Sequence, residues 1–317
     1  MPSLKTIQNK IGITLGDPAG IGPEITFKAI ESLPLAVKDK IHLIGAASSM
    51  KNAAKWLGKS VTHLFTKTLI EEPANGFPFG SPSLESGLIQ AKSLDEAVHL
   101  IKEGSLVGLV TAPINKQCIK SAGFHFPGHT EYLAHNFGDV PVAMSFLGGS
   151  LRAALVTTHV PLESVSSKVS SDRIIEVTKL AIEGIKGSYP MNSIGVLGLN
   201  PHAGEEGLFG LEEIEKITPA INALRKMYPD IRFIGPLPPD SAFRTKCDFF
   251  IAMYHDQALI PIKLVDFEKS VNVTLGLPFP RTSPDHGVAY DIAGKGIANF
   301  ASMRAAIDAC LKLSKTA

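Results

Sequence analysis

The chain has 317 residues, with 44% hydrophobic and 19% charged side chains and a formal net charge of +1. That composition fits a water-soluble globular protein of about two domains, and the near-neutral charge gives no reason to expect nucleic acid or an acidic membrane surface as a partner. Three cysteines, Cys118, Cys247 and Cys310, without C-x-x-C spacing, argue against a disulfide framework or a thiolate metal site and suit a reducing cytoplasm.

In chain order, the N-terminal stretch lacks the apolar core of a signal peptide, and no apolar run reaches the roughly 20 residues that span a bilayer. A cytoplasmic protein is expected. "IGITLGD" reads as a strand running into the Gly/Pro-rich turn "GDPAGIGPE" (16–24), and "GPEITFKAIESL" as the helix after it. The turn matches neither a Walker P-loop nor G-x-G-x-x-G. It is either a tight turn for close backbone approach or a loop that brings Asp17 near a site. "KIHLIGA", "SLVGLVTAP", "VAMSFLGG", "LRAALVTTH", "SIGVLGLN", "IRFIGPLP" and "CDFFIAM" are further strands. "SDRIIEVTKLAIEGIK", capped by Ser170 or Ser171, and "LEEIEKITPAINALRKMY" are helical between them. The alternation predicts a layered α/β fold with much parallel sheet.

Ligands of such folds sit beyond the carboxyl ends of strands. Three of those ends carry a histidine: His159 in "TTHVPL", His202 in "GLNPHAGE" and His255 in "MYHDQ". A lone loop histidine is ordinary, but three in one topological position suit a divalent metal, with Asp256 as an orienting partner or a base. A second set points to an anion. His129 and Thr130 in "FPGHTEYLA" stand at a helix start, where backbone N–H groups favour negative charge, although simple capping by Thr130 is the plainer reading. Lys263, Asn272 and Arg281 lie in largely apolar or Pro/Gly-rich segments, where an unpaired charge is costly.

Eight segments in one order, "GDPAGIGPE", "TAPINK", "FPGHTEYLA", "TTHVPL", "GLNPHAGE", "GPLPPDSAF", "YHDQALIPIK" and "RTSPDHGVAYDIAGKGIA", together resemble the 4-hydroxythreonine-4-phosphate dehydrogenases of pyridoxal phosphate synthesis. The tail "HGVAYDIAGKGIAN" is also similar to the adenosine-binding stretch of isocitrate and isopropylmalate dehydrogenases. The resemblance implies two α/β/α layered domains with a cleft between them, isocitrate/isopropylmalate dehydrogenase-like: 1–130 with 285–317, and 131–284. It implies His159, His202 and His255 as metal ligands, and His129, Thr130, Lys263, Asn272 and Arg281 as substrate contacts. His286, Gly287 and Asp291 would meet the cofactor, and Asp256 would serve as base or relay. NAD or NADP and a divalent metal (Zn²⁺, Co²⁺ or Mg²⁺) would be cofactors, in a homodimer whose active site lies at the subunit interface. The implied reaction oxidises C3 of 4-hydroxy-L-threonine 4-phosphate, and decarboxylation follows to give 3-amino-2-oxopropyl phosphate. The rivals are a 4-phospho-erythronate or 4-phospho-threonate dehydrogenase, a zinc-dependent sugar-phosphate aldolase, and a non-catalytic binding module. Departures from the family pattern, notably Glu206 in place of glycine and Ala258 in "YHDQAL", with variation in "PPDSAF" and "HGVAYD", touch no metal ligand and no matched substrate residue.

Overall fold

The computed structural model describes residues 10–58, 66–73 and 76–314. The chain divides into two compact units, Met1–Val140 with Leu277–Lys315, and Pro141–Gly276. The sequence-derived boundaries lay near 130 and 285.

In the first unit, β1 (Lys10–Thr14), β2 (Ile41–Ala46), β3 (Thr66–Ile70), β4 (Leu106–Thr111) and β11 (Arg281–Pro284) are ordered β3-β2-β1-β4-β11, every neighbour parallel. All six residues of β2 are buried, the continuous apolar run of a strand covered on both faces. Helices α1 (Gly22–Glu31), α2 (Leu35–Lys38), α3 (Ala47–Leu57), α4 (Leu84–Lys102), α5 (Lys116–Ser121), α6 (His129–Asn136) and α11 (Ala301–Ser314) complete the unit.

The second unit holds β5 (Ala143–Leu147), β6 (Arg152–Leu155), β7 (Ser193–Leu197), β8 (Arg232–Leu237), β9 (Phe249–Ala252) and β10 (Val271–Leu275), ordered β10-β5-β6-β9-β7-β8. β10, β5 and β6 pair antiparallel; β6, β9, β7 and β8 pair parallel. α7 (Val165–Lys168), α8 (Ser171–Ile185), α9 (Thr218–Met227) and α10 (His255–Asp266) surround them. Ser170 caps α8, its hydroxyl accepting from the Arg173 N–H at 3.2 Å, and Ile174, Val177, Ala181 and Ile185 are buried as the helical spacing required. The second helical pattern opens instead as a π-helical turn at Glu213–Ile217 before α9 begins.

The expected parallel α/β architecture is present. The described strands and helices also include β3, β10, β11, α3, α4, α10 and α11, which periodicity had left unassigned. α10 was hidden by its own composition: Pro261 lies inside it, and its apolar residues are not confined to one stripe.

The loop after β7 is strained. His202, Ala203, Glu205 and Glu206 all hold φ between 42° and 56°, around Gly204 at φ 80°. A non-glycine residue there costs about 1–2 kcal/mol. Replacing Glu206 (φ 56°) with glycine is therefore expected to raise stability by roughly 1 kcal/mol, read as a higher midpoint in denaturant unfolding.

Candidate active site

The three strands β6, β9 and β7 lie side by side and parallel, so their carboxyl ends share one edge. Each sends a histidine-bearing segment from that edge. His159 follows β6 and His255 opens α10 directly after β9; their ring centroids are 5.5 Å apart at 49°. Together with Thr158, Tyr254, Asp256 and Ile260 they line a pocket of ≈ 450 Å³. Asp256 Oδ1 lies 2.6 Å from His255 Nδ1. A carboxylate there favours the tautomer with the proton on Nδ1, which leaves Nε2 as the lone-pair donor. Two imidazoles in an open pocket, one oriented by a carboxylate, form a donor set that fits a borderline divalent cation.

His202 stands elsewhere. It is exposed in the strained loop, with its ring 6.0 Å from that of Phe209. Among the described residues no three His, Cys, Asp or Glu side chains are grouped closely enough to hold a metal ion. The structure thus brings His159 and His255 together and leaves His202 apart from them.

Lys263 is half-buried near the end of α10. Asn272, on β10 opposite Phe146, has a buried Oδ1 without a hydrogen-bond partner. A buried acceptor left that way carries a desolvation cost, which a bound donor would relieve.

In the first unit, Arg281 opens β11 with 4% exposure, and its Nε and Nη2 donate to Thr111 Oγ1 at 3.2 and 2.6 Å. Burial lowers its pKa to about 10, against the opposing influence of Glu131, so it remains a cation at neutral pH. His129 is the first residue of α6. Its Nε2 is buried without a partner, and burial, with the Arg281 and Lys116 charges, pushes its pKa well below the ordinary imidazole value. The neutral ring can offer one N–H and one lone pair without adding charge. The helix is not capped by Thr130, as the plainer reading had it. Gly128 occupies the N-cap with no side-chain hydrogen bond, and Thr130 falls one residue inside His129. A neutral imidazole beside a buried guanidinium suits an oxyanion. Lys116, the exposed first residue of α5, bears on the His129 ring through its charge and was not singled out in the sequence, where its only signal was its place at the end of "TAPINK".

The glycine-rich turn packs against this unit's own backbone. Gly16 has φ 68°, and a Cβ there would meet Pro113 O at 2.2 Å, so the close approach requires glycine. Asp17 is fully buried, and burial raises its pKa. Its Oδ1 accepts from the Ala19 N–H at 2.8 Å and its Oδ2 from the Tyr290 hydroxyl at 2.6 Å. Tyr290 in turn accepts from Asn115 Nδ2 at 2.6 Å, and the Ile21 N–H donates to Val288 O at 3.0 Å. The turn thereby fixes the segment that carries His286, Gly287 and Asp291. Gly287 and Asp291 are exposed, a Cβ at Gly287 would meet nothing within 4 Å, and His286 Nε2 is buried without a partner. An open backbone beside an unused ring nitrogen fits close approach by a polar ligand.

Strand ends that present paired imidazoles, and a unit that buries a guanidinium beside a neutral histidine, define an α/β protein built to bind a small anionic ligand. The chain belongs to the family of the pyridoxal phosphate biosynthetic protein PdxA, whose model matches residues 24–310. It is 42% identical to the 4-hydroxythreonine-4-phosphate dehydrogenase of Desulfosudis oleivorans, over 94% of each chain. It is 38% identical, over 96% of each, to a Bradyrhizobium diazoefficiens protein named for a proposed D-threonate 4-phosphate dehydrogenase activity. The crystal structure of the Klebsiella pneumoniae 4-hydroxythreonine-4-phosphate dehydrogenase superposes with a TM-score of 0.83 at 34% identity, covering 97% of this chain and all of that one. Membership implies a nicotinamide cofactor and a divalent metal, and it removes the aldolase reading. Among the described residues, no helix is long and apolar enough to cross a membrane.

Proposed function

We propose that the protein oxidises 4-hydroxy-L-threonine 4-phosphate at C3 with NAD or NADP, and that the resulting β-keto acid loses CO₂ to give 3-amino-2-oxopropyl phosphate. The observation that carries this reading is the 42% identity over 94% of both chains to a dehydrogenase named for that substrate. Hydride passes from C3 to the nicotinamide C4 while the hydroxyl proton goes to a base. The bond from C2 to the carboxylate then breaks, its electron pair passing into the new ketone as an enolate, which takes up a proton at C2 to give the product ketone. A divalent cation, when bound, supplies positive charge to polarise the oxygen on C3; an imidazole donor set leans toward Zn²⁺ or Co²⁺ over Mg²⁺.

The chain's own residues take the remaining roles. His129, Thr130 and Arg281 bind the phosphate, Arg281 as a buried permanent cation and His129 as a neutral hydrogen-bonding ring. Lys263 and Asn272 contact the other polar groups of the substrate. His159, His202 and His255 are the metal ligands. Asp256 holds the His255 ring through Nδ1, and that contact suits an orienting role better than a proton relay, because its Oδ1 is already committed. His286, Gly287 and Asp291 meet the cofactor. Remote phosphate contacts fix C3 against the nicotinamide, so binding energy is used for orientation.

A homodimer completes the site, with His202 of one copy joining His159 and His255 of the other. The support is on the surface of the second unit. Leu162 and Ile260 line the histidine pocket and are exposed, and Leu264, one turn beyond Ile260 on α10, is 84% exposed. Leu208, Phe209 and Leu211, beside His202, are exposed as well. Apolar side chains of that number on two histidine-bearing surfaces are a liability unless covered. The protein works in a reducing cytoplasm, where its three free thiols are at home.

The test compares NAD(P)H formation from 4-hydroxy-L-threonine 4-phosphate, D-threonate 4-phosphate and 4-phospho-D-erythronate. Highest kcat/KM for the amino acid phosphate is the expected result. Turnover of a sugar-acid phosphate alone would move the protein to the specificity of its Bradyrhizobium relative and overturn the substrate assignment.

A further inference from the structure

The parallel ladders of the second unit stop just short of the histidines. β9 and β7 last pair at Ile251 and Val196, and β6 and β9 at Leu155 and Ala252. Beyond those points β6 and β9 stay joined by backbone bonds, the Val156 N–H donating to Ala252 O at 2.9 Å, whereas β9 and β7 are joined through a side chain. The Thr157 N–H and hydroxyl both donate to Met253 O, at 3.1 and 2.7 Å. The Met253 N–H donates to Gln257 Oε1 at 2.7 Å, and Gln257 Nε2 donates to Gly198 O at 2.8 Å. Gln257 has 8% exposure, Thr157 6%, and Met253 none. One buried side chain therefore spans from the end of β9 to the end of β7: Gln257 lies two residues along the chain from His255, and its acceptor Gly198 lies four from His202.

Part of this has an ordinary explanation. Gln257 is the third residue of α10, and a glutamine there commonly reaches back to a backbone N–H at the helix start. A reach back of that kind, landing one residue before the N-cap Tyr254, accounts for the bond to Met253. It does not account for the donation to Gly198 O, across 59 residues, from a neighbouring strand's exit loop. The amide is used at both ends in low-dielectric surroundings, where losing either bond leaves a buried group unsatisfied.

We propose that Gln257 is a positioning residue for the metal ligands, fixing the exits of β9 and β7 and with them the directions in which His255 and His202 are presented. This rests on the three-histidine metal reading above. Gln257 touches neither metal nor substrate; it acts through the backbone on which the ligands stand, as outer-shell partners do, whose loss typically costs about 10–100-fold in metal affinity.

Two variants of the full-length protein test it. Gln257→Glu keeps size and shape and an acceptor for Met253, but sets an oxygen against Gly198 O. Gln257→Leu removes both bonds. Co²⁺ dissociation constants from chelator competition and Co²⁺ absorption spectra would be measured for both, for the unmodified protein and for His255→Ala. The expected result is a 10–100-fold weaker Co²⁺ complex with a shifted ligand-field band, and kcat reduced with KM for the phosphorylated substrate unchanged. If Gln257→Leu does not fold, the isosteric Gln257→Glu decides. Wild-type affinity and spectrum in a folded Gln257 variant, with binding lost in His255→Ala, would overturn the positioning role alone. Undiminished Co²⁺ binding by His255→Ala would overturn the metal reading and this inference with it.

Discussion

Replacing His255 with alanine is expected to abolish metal-dependent dehydrogenation while the fold survives. The ring stands at the entrance to α10, half-exposed, beside His159 and Asp256. It is no part of the buried apolar core, in which Phe249, Phe250 and Ile251 of the preceding strand are fully enclosed. Truncation therefore opens no cavity and strands no buried charge. The cost falls on the site: losing an outer partner of a ligand costs about 10–100-fold, so losing the ligand itself is expected to cost more than about 100-fold in kcat/KM. Steady-state kinetics at saturating Co²⁺ and far-ultraviolet circular dichroism check the two halves. Activity within tenfold of the unmodified enzyme would remove His255 from the site.

The second large effect is expected at Arg281. Its guanidinium is buried and donates two bonds to the Thr111 hydroxyl, so only the planar fork satisfies the position. Lysine keeps the charge but not the geometry. Arg281→Lys is expected to lose a charged hydrogen bond to the phosphate, worth about 1.5–3 kcal/mol, or roughly 10–150-fold in kcat/KM, mostly through KM. The same change should leave cofactor KM unaltered, since His286 to Asp291 are held by Asp17 and Asn115 through Tyr290. Equal losses for substrate and cofactor would mean that Arg281 serves the fold and not the phosphate.

The pattern of the chain made the strand ends easy to find. Buried strands such as "SIGVL" and "FFIA" are written as unbroken apolar runs, and the polar residues that follow mark where the sheet stops. His255, Asp256 and Gln257 were visible for that reason. His255 and Asp256 took roles from the sequence but Gln257 took none, because the bond from Gln257 to Gly198 joins residues 59 apart and depends on β9 lying beside β7. Strand order is not encoded in local periodicity. α10 was hidden by Pro261, and β11 by a four-residue strand of polar spelling, "RTSP", whose burial comes wholly from its neighbours. Thr130 was read as a cap from its residue type alone, whereas the backbone put Gly128 there. His202 stands in a left-handed loop, which holds four non-glycine residues at positive φ against their own preference, a conformation that residue types alone do not announce.

The most direct measurement is the rate of reduced nicotinamide formation from 4-hydroxy-L-threonine 4-phosphate by the purified protein, before and after removal of divalent metal by a chelator and again after Co²⁺ or Zn²⁺ is returned. Turnover that is lost with the metal and restored with it is the predicted result, accompanied by one CO₂ per nicotinamide reduced. Turnover that continues unchanged in the chelator, or none with the metal restored, would contradict a metal-dependent dehydrogenase at these strand ends.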